Sequence, residues 1–356
     1  MAFIERVLYD NIESIARGVP MKIGFHEIMI NPTFLSSPIG HSDDPRFTSL
    51  VKGDLMLRTL YVFDKAPLLF VSVDVYAISK KIIKKMNDIA NAHFNQDVKL
   101  ICNTTHTHSA PSMYTHPPFE HNSEFVETVL ERFEICLLKC QVKETTMHMS
   151  FTEVLVDLSL FLELDKVPLT LLSLYQENKR VVNILFFSLT PSLIGPNTHY
   201  LSSDYVGVLM EKLKQRYPFE SFMFFQQGYS DHRIETKRNL TYQDCIKLSQ
   251  NMIVSLKKAL DEKQNAKPLS VSYASVAIES KHLSLVSCTS VNFNNFNVLF
   301  TPFTHPSSIS TKLSKHNLIV GLTNDYIDDV TDTFESVTSK KQRLLKNERE
   351  KLLSYL

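Results

Sequence analysis

His106 and His108 stand two residues apart in the segment Asn103–Pro111, NTTHTHSAP. Imidazole carries protons near neutral pH and is a strong zinc donor. Two such rings at alternate positions after a strand can point the same way. Both can then reach one metal ion, or one can hold the metal while the other polarises a carbonyl. The same pattern also fits two loop histidines satisfied by backbone groups, and with 13 His in the chain an HxH arises readily by chance. Other polar groups follow apolar runs. Asp74 lies at the end of Leu68–Val75 (LLFVSVDV). Thr190 follows Val181–Leu189 (VVNILFFSL), with Ser202, Ser203 and Asp204 further on. Asp231, His232 and Arg233 follow Ser221–Phe225, and Thr304 and His305 follow Phe296–Thr301.

The elements that must position these groups alternate. Leu68–Val75 and Val98–Thr104 have the density and length of buried strands. Ile78–Phe94 between them places Ile82, Ile83, Met86 and Ala90 at helical spacing, with Lys80, Lys81, Lys84 and Lys85 on the solvated face. This is a βαβ unit, so its strands are expected to be parallel. Helices are expected over Ser123–Cys140, Asp204–Tyr217 and Thr241–Leu260, the last opened by Thr241 with Asp244 three residues on. Val181–Leu189, Ser221–Phe225, Phe296–Thr301 and Leu318–Leu322 read as further strands, and Thr145–Leu164 as β-hairpin material. The fold class is α/β, with a mixed, largely parallel sheet flanked by helices. Sites in such folds collect at the carboxyl ends of strands, so His106 and His108 are expected at the end of a central parallel strand.

Composition narrows the function. Lys+Arg and Asp+Glu both total 38, so no basic surface for nucleic acid is implied. Only 8 Gly occur, without a GxGxxG or GxxxxGK[ST] loop. The five cysteines are odd in number and form no CxxC pair, which fits reduced thiols; Cys136 and Cys140 share the apolar face of one helix and read as core. The amino terminus has no secretory pattern and no apolar run is long enough for a bilayer span, so a cytoplasmic protein is expected. No internal repeat is visible. One domain over 1–356 is expected, ending in a terminal helix over 336–356. The segment Gly40–Asp44 reads as a turn-rich loop. His116 and His121, flanking Pro117 and Pro118, read as a lid or as an ordinary exposed loop.

THTHSAP resembles the THTHSGP signature of the neutral, non-lysosomal ceramidases and their shorter bacterial relatives. The likeness continues through Val51–Val62 with Leu69–Asp74, and through SLTPSLIGPNTHYLSSDYVG (Ser188–Gly207), which is similar to ACHPTVLGP…SADFPG. It extends to FFQQGYSD (Phe224–Asp231), similar to FLQGAAGD, and LIVGLTNDY (Leu318–Tyr326), similar to GLAN-x-Y. It covers roughly positions 20 to 335, leaving no counterpart of the long enzymes' C-terminal β-sandwich. The resemblance implies a short relative of the catalytic domain of a zinc amidohydrolase acting on ceramide or another N-acyl compound. It implies His106 as a zinc ligand, His108 as the group that polarises the carbonyl, Asp231 as a retained catalytic-site acid and Tyr326 as a ligand.

The departures fall on the metal. Thr190 stands where the resemblance calls for the next histidine ligand, and Thr304 where it calls for a glutamate. Ser230–Asp231–His232–Arg233 lacks the serine and proline of the Gly-Asp-x-x-Pro segment. Two ligands hold zinc poorly, because catalytic sites use three protein donors. The expectation is a degenerate zinc site, with zinc weak or absent and hydrolysis weakened, altered or lost. The alternative is an inactive binding or scaffold protein that keeps the fold. His199, His232 and His305 are the residues placed to substitute for a lost ligand. The expected partner is a small N-acyl compound or lipid-like amide, with no nucleic acid and no transmembrane segment.

Overall fold

The computed structural model describes residues 19–38, 47–115, 121–161, 166–194, 199–227, 240–262, 264–278, 286–303 and 316–325. The expected terminal helix over 336–356 and the loop Gly40–Asp44 lie outside them, as do His116, Asp231, His232, Thr304, His305 and Tyr326.

A large sheet runs in the order β4-β3-β2-β1-β5-β6-β7-β8, with β9 (Lys267–Pro268) beside β5. Its strands are β1 (Pro20–Met29), β2 (Met56–Phe63), β3 (Pro67–Val73), β4 (Lys99–Thr104), β5 (Lys143–Asp157), β6 (Lys166–Gln176), β7 (Lys179–Phe187) and β8 (Ser221–Gln226). Helices α1 (Lys80–Phe94) and α2 (Ser123–Lys139) belong to the first half. Helices α3 (Asp204–Arg216) and α4 (Tyr242–Asp261) belong to the second. A separate sheet holds β10 (Val271–Ile278), β11 (Val286–Phe293), β12 (Phe296–Phe300) and β13 (Asn317–Val320).

The expected mixed α/β architecture holds, and β3–α1–β4 is the expected βαβ unit with parallel strands. Within the large sheet, however, only β3–β4 and β7–β8 are parallel; the other pairings are antiparallel. The sheet is thus less parallel than expected, because short connections join β2 to β3 and β6 to β7 and a short connection reverses the chain. Thr145–Leu164 supplies the first arm of a hairpin. Most of it is the single long strand β5, whose hairpin partner is β6.

Each strand divides its residues between two cores. In β7, Leu185 and Phe187 face α3 and α4, while Val182, Ile184 and Phe186 face the second sheet. In β3, Leu69, Val71 and Val73 face α1 and α2, while Leu68 and Phe70 face Phe293 and Phe300. Both faces are dry, which is why these strands read as unbroken apolar runs rather than as alternation. Local signals set the helix ends. Asn122 Oδ1 accepts the Phe125 N–H at 2.9 Å to cap α2, and Asp244 Oδ2 accepts the Thr241 N–H at 3.0 Å before α4. Asn95 ends α1 in the left-handed region at φ 50°.

The sheet reads the same from either edge. Each half is a strand, a hairpin, a parallel crossover through a helix, and a second helix packed on the first. The crossovers match in detail: Val73–Thr104 and Phe187–Gln226 are the last ladder pairs. Just beyond them, the N–H of Thr105 donates to Val73 O and that of Gln227 to Phe187 O, both at 3.0 Å. The internal repeat absent from the residues is therefore present in the backbone.

Candidate functional site

The two crossovers meet at their carboxyl ends. Asn103 Oδ1 accepts the Gln226 N–H at 3.0 Å, and Ser72 Oγ donates to Phe224 O at 2.6 Å. These bonds join β3 and β4 to β8, which lies at the opposite end of the pairing order. β4 is therefore the last strand of its ladder rather than a central one, but its carboxyl end is covered by the other half. His106 and His108 follow β4 at this junction.

His106 has φ 64° and is 7% exposed. Its N–H donates to Val75 O, and its Nδ1 lies 2.7 Å from Tyr76 O. The Tyr76 ring stacks on His106 with centroids 4.2 Å apart and meets His108 edge-on at 5.1 Å. The two imidazoles lie at 84° with centroids 5.2 Å apart. A carbonyl only accepts, so in the neutral ring Nδ1 carries the proton and Nε2 the lone pair. Backbone support of this type orients a histidine that acts through Nε2, as base or as metal ligand. Tyr76 was not singled out in the sequence, because an aromatic residue after a strand has the same signature as a core residue.

The second half supplies the facing loops. The His108 N–H donates to Pro191 O at 3.2 Å, so the loop that follows β7 and carries Thr190 lies against the histidine loop. Thr190 is 7% exposed. Ser202 N–H donates to Ser109 O, and Thr107 Oγ1 donates to Ser202 O, both at 2.8 Å. His199, three residues earlier, is exposed, and its carbonyl accepts from Thr48 Oγ1. Asp204 anchors this side: its buried carboxylate accepts the Ile194 N–H at 2.9 Å and the Tyr205 N–H at 2.7 Å. Burial pushes its pKa up to about 6. Gly207 is required here, since a Cβ would come within 1.8 Å of Ser203 Oγ.

Asp74 ends β3 and is fully buried. Both its oxygens lie 3.2 Å from Arg58 Nη1, and Oδ2 also accepts the Met56 N–H at 3.0 Å. Arg58 is itself 1% exposed and reaches Glu27 at 3.6 Å through Nε. Burial raises the Asp74 pKa and the Arg58 charge opposes that shift. Asp74 is thus an internal strut rather than an acid open to a ligand. The cysteines are likewise inert: all five are free and buried, and burial raises every thiol pKa, that of Cys136 to about 12.

Buried side-chain oxygens without hydrogen-bond partners cluster on the same segments. On these segments they are Ser109 Oγ, Ser203 Oγ, and Gln226 Oε1 and Gln227 Oε1 at the end of β8. Such atoms are costly unless water or a ligand satisfies them. The junction is therefore rich in neutral polar groups. For zinc, the described residues offer His106 and His108. Among them no three His, Cys, Asp or Glu side chains converge to hold a metal ion. Within the described residues this is one donor short of the three that a catalytic zinc site uses.

No family model matches the sequence, and no curated protein matches it. Its structure does have known counterparts. The neutral ceramidase from Pseudomonas aeruginosa superposes with a TM-score of 0.69 at 12% identity, over 86% of this chain and 68% of that one. A ceramidase complexed with C2 gives 0.68 at 12% identity, over 86% and 69%. The chain has the fold of the neutral ceramidases.

Proposed function

We propose that this chain is a ceramidase-type amidohydrolase with a degenerate zinc site, retaining the binding place for an N-acyl compound or lipid-like amide while its hydrolytic activity is weakened, altered or lost. The observation that carries this reading is the inventory at the junction. Two imidazoles and several unsatisfied neutral oxygens converge there, while Thr190 occupies the facing loop. A hydroxyl is a weak, neutral zinc donor and does not replace an imidazole. The unsatisfied oxygens are suited to an amide, which both donates and accepts hydrogen bonds. In this reading His106 is the surviving zinc-type donor and His108 faces the amide carbonyl. Asp231 and Tyr326 complete the retained set, and Thr304 marks a second lost donor.

Elemental analysis of the purified protein, paired with hydrolysis of a fluorogenic N-acyl amide, tests this. Zinc well below one per chain and turnover at background are expected. Thr190→His together with Thr304→Glu is expected to raise zinc affinity measured by titration. Stoichiometric zinc in the unmodified protein, lost on His106→Ala, would overturn the reading in favour of a working hydrolase.

A further inference from the structure

A cleft of about 400 Å³ opens between β1, the start of β2 and α3. Its size suits a small ligand. No residue of the histidine loop or of the loop bearing Thr190 lines it. Helix α3 contributes Met210, Glu211 and Lys214, and the opposite wall holds Glu27, Asp54 and Arg58. The charges do not balance. Lys214 pairs with Glu27, and Arg58 with the buried Asp74. That leaves Asp54 and Glu211, both exposed. Each accepts from a neutral amide: Asp54 from Asn31 at 2.8 Å and Glu211 from Gln215 at 3.0 Å. Burial raises the Tyr242 pKa, and the charges of Glu211 and of Asp54 add to the rise, so both carboxylates stand near one ring. Lys52 lies over that ring at 5.6 Å, but among the described residues neither carboxylate forms an ion pair with it.

The floor of the cleft carries an independent mark of a ligand. Arg58 is 1% exposed, and its hydrogen bonds to Asp74 use Nη1 alone. Its buried Nε makes none, and Glu27 Oε2 stands 3.6 Å away, beyond hydrogen-bond reach. A buried donor of this kind is costly until an acceptor meets it. A carboxamide completes both sides of the gap, because its oxygen accepts from a guanidinium N–H while its nitrogen donates to a carboxylate. A ligand carboxylate does not, since it meets Glu27 with like charge. Asp54 and Glu211 call for an ammonium group. Met56 and Met210, which also line the cleft, suit an apolar side chain of variable shape.

We propose that this cleft binds a small α-amino amide with an apolar side chain. The ammonium group meets Asp54 and Glu211, the carboxamide bridges Arg58 Nε and Glu27, and the side chain lies on Met56 and Met210. Calorimetric titration of the full chain with L-leucinamide tests this. Saturable binding of one molecule per chain is expected. L-Leucine, which brings a carboxylate, and N-acetyl-L-leucinamide, which lacks the ammonium charge, should each bind about tenfold or more weakly. Asp54→Asn with Glu211→Gln should weaken leucinamide binding by the same factor, whereas His108→Ala should leave it unchanged. Circular dichroism and the melting temperature confirm that each variant folds. Absence of saturable binding, or undiminished binding by the double variant, would overturn the proposal. So would equal affinity for N-acetyl-L-leucinamide, because the two carboxylates would then have no part in recognition. A loss of leucinamide binding in His108→Ala would overturn it as well, by placing the amide at the histidine junction.

Discussion

Asn103, at the carboxyl end of β4, holds Gln226, at the carboxyl end of β8, by accepting its N–H on Oδ1 at 3.0 Å. Its Nδ2 donates to Gly321 O at 2.7 Å, which brings in the segment after β13. One fully buried amide therefore joins both halves of the large sheet and the second sheet beside the histidines. Asn103→Leu leaves a buried N–H and a buried carbonyl without partners and is expected to cost about 2–4 kcal/mol in urea unfolding. Asn103→Asp keeps the acceptor but turns a carboxylate oxygen toward Gly321 O, and should cost at least as much. A loss under about 0.5 kcal/mol for both would show that Asn103 does not hold the junction together.

The strut beneath that junction is the Arg58–Asp74 pair. Removing one partner leaves the other charged in a dry site, so Arg58→Met is expected to destabilise by about 3–5 kcal/mol. Asp74→Asn on top of it removes the stranded carboxylate and should recover much of the loss, although the Met56 N–H bond is retained only through the amide oxygen. A double-mutant cycle measures the coupling. Simple additivity of the two changes would contradict the buried pair.

Asp204 gives the molecule a pH signature. Its folded pKa of about 6 stands above the usual 3.8, so the native state holds this proton more tightly than the unfolded chain does. The stabilisation is present below about pH 4 and is lost as pH rises toward about 6. A difference of that size corresponds to ~3 kcal/mol. The stability of the unmodified protein should therefore fall across that window relative to Asp204→Asn, whose curve lacks this slope. Parallel curves for the two proteins would refute it. Because Asp204 also orients the loop bearing Thr190 and Pro191, the variant should be less stable below about pH 4, by about 1–3 kcal/mol, with that deficit closing as pH rises through the window.

Much of this was legible in the residues, for a definite reason. Strands such as Leu68–Val73 and Val181–Phe187 are buried on both faces, so their apolar runs announced themselves. The α1 stripe of Ile82, Ile83, Met86 and Ala90 did the same for a helix. The duplicated topology was hidden because it resides in backbone bonds. Thr105 and Gln227 occupy the same place in the two halves, as do Asp74 and Ser188, with no chemistry in common. Arg58 was hidden for a different reason: an arginine inside a strand reads as solvent-facing until the carboxylate that neutralises it is located. Tyr76 was missed because only its ring positions and its carbonyl distinguish it from a core aromatic. The histidine loop and Thr190 were placed near one another by resemblance, and the Pro191–His108 bond brings their backbones together.

The conformation of His106 leads to the final prediction. At φ 64° it occupies the left-handed region, where a residue other than Gly, Asn or Asp is strained. Its Nδ1 contact with Tyr76 O and its stacking on the Tyr76 ring offset that strain. His106→Ala keeps the strain and loses both contacts, for an expected cost of about 1–3 kcal/mol. His106→Asn tolerates the backbone better and should lie between the two in melting temperature. Tyr76→Leu removes the ring while leaving the carbonyl, so it separates stacking from hydrogen bonding. Long-range proton–nitrogen correlation spectra at a pH where the ring is neutral provide the direct check. They should show a protonated Nδ1 and a bare Nε2. A ring protonated only at Nε2 would mean that Tyr76 O does not receive this proton, and the nitrogen assigned to ligand or base chemistry would have to change.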